Sequence, residues 1–101
     1  MSESTIDQSR KRYAIERWAE GYFDIDDQGQ LCALPQGAAS TPLPLIEIVE
    51  QARRQGLRRP LLLRFPQILE SRARQLIHAF NKAIDELDYQ GQYTAVYPIK
   101  V

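Results

Sequence analysis

The order of apolar and polar positions divides the chain into segments of distinct texture. The first residues, MSEST, are polar, and residues 1–12 are expected to form a flexible tail. From Tyr13 to Leu34 the pattern turns aromatic and apolar, with Trp18, Tyr22, Phe23, Ile25 and Leu31. Residues 21–26 and 30–34 read as two strands of a hairpin. Asp26, Asp27 and Gly29 between them supply turn chemistry: carboxylates for local hydrogen bonds and a glycine for positive φ. Such a hairpin is marginal alone, so its aromatic face must dock on another segment. Residues 35–44 hold three prolines and read as a connector; with the hairpin they form a predicted unit over 13–42. Leu45, Ile48, Val49 and Ala52 recur at helical spacing and predict a helix over about 43–55, with Ser40 or Thr41 as cap and Gly56 as stop.

The rest is apolar in another way. Residues 60–65 are apolar on both faces, as in a strand buried between layers. Pro66 suits the first turn of the next helix, whose apolar stripe begins at Ile68 and keeps the helix running to about Asp88, and Gly91 is expected to break it. Residues 93–101 are again apolar on both faces. Strand, about twenty helical residues and strand predict a right-handed βαβ unit within residues 43–101. The expected fold class is therefore α/β: a hairpin, a helix and the opening βαβ of a larger parallel arrangement. A parallel pair needs covering on both faces. The beginning thus reads as natural, and the end, inside an apolar strand, as cut.

Composition narrows the function. The 101 residues suffice for one small domain, and 44% apolar with 26% charged is ordinary for a soluble protein. Formal charge is zero, against a chain-wide basic footprint for nucleic acid. The lone Cys32 excludes an internal disulfide, and Cys32 with His78 is too few ligands for a zinc site. No apolar run reaches membrane-span length and no signal-peptide profile opens the chain, so a cytoplasmic location is expected.

Lys100 is the sharpest candidate for chemistry. Arginines outnumber lysines ten to three, and this lysine closes a buried-type strand. The carboxyl end of a parallel strand is where α/β folds place their reactive groups. By pattern alone, though, a solvated lysine at the strand exit is the commoner outcome. Charge is also unevenly placed. Residues 53–74 carry seven arginines against Glu70, and residues 16–50 carry seven carboxylates against Arg17. The basic block fits either a solvated, locally paired surface or a small phosphate, nucleic-acid or interaction module without catalysis. No aromatic platform is interleaved with it, which weighs against nucleic acid. Arg64 follows a buried-type strand and suits a structural ion pair better than a ligand contact. His78 lacks a positioned partner, Cys32 reads as an inert thiol, and Asp24, Asp26 and Asp27 read as turn residues, because no Glu stands at the twelfth position of a calcium loop.

Three separated runs carry a resemblance: YAIERWAEGYFDIDDQG over 13–29, GLRRPLLLRFP over 56–66, and YQGQY over 89–93 leading into VYPIKV over 96–101. Together they resemble the opening of the bacterial biosynthetic arginine decarboxylases, in register from about Ser9 onward. Ornithine and diaminopimelate decarboxylases share a strand ending in a cofactor lysine but lack the hairpin and Arg-Phe-Pro runs, and rank second. The resemblance implies a pyridoxal-phosphate enzyme with an alanine-racemase-like (β/α)8 barrel, converting L-arginine to agmatine and CO2 for polyamine (putrescine and spermidine) synthesis. Magnesium is implied as a further cofactor and a homo-oligomer as the assembly, with no nucleic acid or membrane partner. Lys100 matches the lysine that holds pyridoxal as a Schiff base, both catalytic and cofactor-binding; no metal ligand is matched. Ala19 departs from the family's usual glycine after the tryptophan. The implied phosphate-binding loop and arginine-gripping residues have no counterpart here, so this chain alone is expected to be inactive.

Overall fold

The computed structural model describes residues 3–100. They divide into two units, one up to Ile68 and the other from Leu69. The first unit contains helix α1 (Thr5–Arg12), a single helical turn α2 (Ile15–Trp18), strands β1 (Phe23–Ile25) and β2 (Leu31–Ala33), a 3-10 turn (Gly37–Ala39), the short strand β3 (Leu43–Pro44) and helix α3 (Leu45–Arg54). Helix α4 (Pro66–Glu86) begins at the end of this unit and supplies most of the second.

Residues 5–12 are helical, not the flexible tail expected from their composition. The Ser4 hydroxyl accepts from the Asp7 amide at 3.1 Å and donates to the Asp7 carboxylate at 2.7 Å. The cap thereby satisfies one of the amides that a helix start leaves open. Asp7 lies in the first turn and Arg10, Lys11 and Arg12 in the last, complementing the helix dipole.

The hairpin forms as expected. β1 and β2 are antiparallel, pairing Phe23 with Ala33, Asp24 with Cys32, and Ile25 with Leu31. Asp26 builds the turn: its Oδ1 accepts from the amides of Gln28 (2.9 Å) and Gln30 (2.8 Å), and Gly29 takes φ +78°. These amide donors, Gln30 foremost, hold the Asp26 carboxyl below its usual pKa, and the Ser4 hydroxyl and Arg10 do the same for Asp7. A carboxyl whose pKa is lower in the folded state stabilises that state above its unfolded pKa of about 4, and the contribution is lost as pH falls through the folded value. Stability is therefore expected to drop below about pH 4, and Asp26→Ala to flatten that drop. Thermal melts across pH 2–6 check this; an unchanged acid limb in the variant would exclude Asp26 as its source.

The connector holds one strand that the pattern missed. β3 pairs antiparallel with β2, Cys32 opposite Pro44 and Ala33 opposite Leu43, giving a three-stranded sheet in the order β1-β2-β3. Proline is tolerated there because β3 is an edge strand. α3 starts directly after Pro44, without a side-chain cap; the expected cap Ser40 instead accepts from the Gln36 amide at 2.6 Å. Its C-terminus does end at Gly56. The Leu57 amide reaches the Ala52 carbonyl and the Gly56 amide the Arg53 carbonyl, both at 3.0 Å, with Gly56 at φ +86°. This is a Schellman closure.

The core of the first unit is small: Ile15, Ala19, Tyr22, Ile25, Cys32, Ala33 and Pro35 are its buried apolar residues. Ile15, Ala19 and Ile25 cluster, with Ile6 of α1 and Phe23 packed against them. The aromatic face of the hairpin finds its cover within the first unit. Phe23 stacks at a tilt on Trp18 (5.6 Å) and edge-on against Phe65 (6.1 Å).

In place of the strands expected at 60–65 and 93–101, residues 60–65 and 93–100 carry no ladder pairing; Val101 lies outside the described residues. An extended apolar segment becomes a strand only where a neighbour supplies backbone partners, and no described segment does so. α4 forms as expected and closes near Asp88 as expected, with Asp88 itself in place of Gly91 as the stop. Asp88 takes the left-handed conformation at φ +52°, and the Tyr89 amide closes on the Ile84 carbonyl at 3.0 Å. No residue of α4 is buried, and Leu69, Leu76, Ile77 and Phe80 of its apolar stripe are exposed. Tyr93 stacks flat on Phe80, centroids 4.1 Å apart at 8°.

Candidate functional site

Lys100 lies in the second unit, at the end of the unpaired segment that follows the Tyr93–Phe80 stack. It is exposed, as are Val96, Tyr97 and Ile99 before it. No hydrogen bond or ion pair ties its amine to another described residue. A free amine suits a Schiff base with an aldehyde. A pyridoxal phosphate site also needs donors for the phosphate and a partner for the ring nitrogen. The described residues supply the amine and not that surrounding, so the site is not complete within them. No group of three or more potential metal ligands occurs among the described residues.

Arg64 is exposed and belongs to the first unit. His78 is exposed on α4. Three of the seven arginines of the basic block are held locally: Arg53 by Glu50 at 3.1 Å, Arg74 by Glu70 at 2.8 Å, and Arg72 by the Gln75 amide oxygen at 3.1 Å. Those ion pairs are exposed and contribute little to stability.

Asp24 reads differently in three dimensions, and Cys32 as expected. Asp24 is not a turn residue; it sits in β1 and receives Arg10. The Arg10 guanidinium donates to Asp24 Oδ1 (2.8 Å), to Asp7 Oδ1 (2.8 Å) and to the Ile25 carbonyl (2.9 Å), tying α1 to the hairpin. The sequence carries no signal for this bridge beyond an arginine in a helix's last turn, because its partners in the hairpin lie 14 and 15 residues away.

Cys32 is almost fully enclosed and its Sγ lies 3.5 Å from Asp26 Oδ2. Burial first, and the carboxylate second, push its thiol pKa up to about 11. Thiolate is the reactive form, so alkylation at pH 7.5 is expected to run roughly a hundredfold slower than in urea-unfolded chain. Iodoacetamide labelling followed by mass spectrometry checks this; equal rates would mean an accessible thiol.

Sequence comparison adds what geometry does not. The chain is 52% identical over 100 residues to a protein of Pseudomonas aeruginosa, 49% over 100 residues to one of Pseudomonas putida, and 48% over 101 residues to one of Xanthomonas campestris. All three are biosynthetic arginine decarboxylases. The matches cover 99–100% of this chain and 16% of each relative's length. No protein-family model matches the chain. The departure noted against the arginine decarboxylases, Ala19, is structurally benign. Ala19 is right-handed helical (φ −81°, ψ −24°) and buried, and the left-handed positions fall on Glu20 and Gly21. A glycine at 19 is not required by this backbone.

Proposed function

We propose that this chain is the N-terminal part of a biosynthetic arginine decarboxylase, which converts L-arginine to agmatine and CO2 for polyamine synthesis in the cytoplasm. The observation that carries the proposal is identity of 48–52% over essentially all of the chain to proteins of that name. In the whole enzyme Lys100 is the residue that holds pyridoxal phosphate, and magnesium is bound by residues elsewhere. Pyridoxal phosphate, when bound, supplies a sink for the electron pair left by departing CO2. The part played by this chain is to present the Lys100 amine. In the homo-oligomeric whole enzyme, residues 60–65 and the segment from Tyr93 to Lys100, both unpaired here, become parallel strands of a (β/α)8 barrel with α4 as their crossover, and residues 13–42 belong to a hairpin unit. Two features support this. α4 has 21 residues, ample for a parallel crossover, and its apolar stripe and the flanking segments leave large side chains exposed.

The test is to express the longest reading frame containing this chain and supply it with pyridoxal phosphate and magnesium. Release of agmatine and CO2 from L-arginine, with no turnover of L-ornithine or diaminopimelate, is the expected result. Turnover of either alternative in preference to arginine, or of none, overturns the proposal.

A further inference from the structure

The Schellman closure of α3 places Leu57 and the two arginines after it beside the last turn of the helix. Val49, Arg53, Leu57, Arg58, Arg59 and Leu61 line a groove of about 390 Å³ there, inside the first unit. Three of the six lining residues are guanidinium-bearing. Arg53 is paired with Glu50, whereas Arg58 and Arg59 are exposed and form no ion pair with a described residue. The negative end of α3 offsets about half a charge. Glu50 offsets one more, so the groove retains between about one and two positive charges. Val49, Leu57 and Leu61 supply the apolar part of its lining.

We propose that this groove binds a small polyanion of the phosphate class, such as a pyrophosphate group. Planar guanidinium forks match phosphate oxygens two at a time, so paired arginines favour phosphate over a single carboxylate. The volume exceeds that of one phosphate and suits two linked phosphoryl groups or a small phosphate ester. No aromatic side chain lines the groove, which weighs against stacked nucleic-acid bases as the occupant. The site lies outside the reaction proposed above and stands or falls independently of it.

Pyrophosphate titrated into the full 101-residue chain at low salt, followed by backbone amide NMR, tests the assignment. Saturable shifts centred on residues 57–61 are expected, with the midpoint rising at least about tenfold when Arg58 and Arg59 are both replaced by glutamine. The double lysine variant, R58K/R59K, keeps the charge and loses the fork, and is expected to fall between the two. Unchanged amide shifts outside the groove verify that the variants fold. Absence of saturation, shifts centred elsewhere, or an unaltered midpoint in the glutamine variant would overturn the site. Citrate binding as tightly as pyrophosphate would overturn its phosphate preference.

Discussion

Lys100→Ala is expected to lower CO2 release from L-arginine by on the order of a thousandfold or more in the whole-length enzyme, while leaving the stability of this chain unchanged. The first half follows from the proposed role. A covalent attachment amine has no substitute when its nitrogen is removed, and neighbouring groups that act with it lose their effect as well. The second half follows from the structure described here. Lys100 is exposed, so its truncation creates no cavity and strands no buried partner. Exposed substitutions of that kind stay within about 0.5 kcal/mol. The pair of readouts separates chemistry from structure. Lys100→Arg keeps the positive charge without a nucleophilic amine and is expected to be as inactive as the alanine variant. Borohydride reduction with pyridoxal phosphate should leave an adduct mass on the peptide containing Lys100 in the parent protein only. Retention of more than about a tenth of the activity in either variant would remove Lys100 from the reaction. A melting temperature lowered by several degrees would make it a structural residue instead.

The same contrast between exposure and role explains which parts of the molecule were legible in the sequence. The hairpin was, because Asp26 and Gly29 encode its turn locally and the alternation on either side encodes its strands. α3 and α4 were, because their apolar stripes repeat at helical spacing over ten and twenty-one residues. α1 was not. Its apolar content is one residue, Ile6, and its hold on the sheet comes from Arg10 reaching Asp24 and the Ile25 carbonyl, a tertiary contact that no local pattern announces. β3 was hidden for the opposite reason. Its two residues, Leu43 and Pro44, sit in a proline-rich run whose composition argues for a loop, and only the free edge of β2 makes them a strand. The two apolar segments around α4 were legible as strand material, but pairing requires neighbours, and here those segments remain unpaired. Lys100 stood out by position alone; its chemistry rests on resemblance and relatives, since the described surroundings hold no second group beside the amine.

The largest effect on folding is expected at Ile15. Its side chain is buried in one cluster with Ala19 and Ile25, and Ile6 and Phe23 pack against that cluster, which joins α1, α2 and the sheet. Ile15→Ala removes three carbons from that contact. Truncations of this kind cost about 2–5 kcal/mol according to how far the site collapses. The core here is thin and near the surface, which favours partial collapse and the lower part of that range, about 2–3 kcal/mol. A unit of fewer than seventy residues has only a few kcal/mol of stability in total, so the loss consumes most of it. At about 4–8 °C per kcal/mol for a chain of this size, the melting temperature should fall by roughly 10–20 °C. Ile15→Val, which keeps the branched carbon, should cost about 1 kcal/mol. Ile46→Ala supplies the internal reference. Ile46 belongs to the equally apolar α3 but is 52% exposed, so its truncation should cost well under 1 kcal/mol. Melts of the three variants by far-ultraviolet circular dichroism give the ordering directly. Equal losses at positions 15 and 46 would mean that α1 and α2 do not pack on the sheet through Ile15, and that the aromatic contacts of Phe23 with Trp18 and Phe65 hold the hairpin instead.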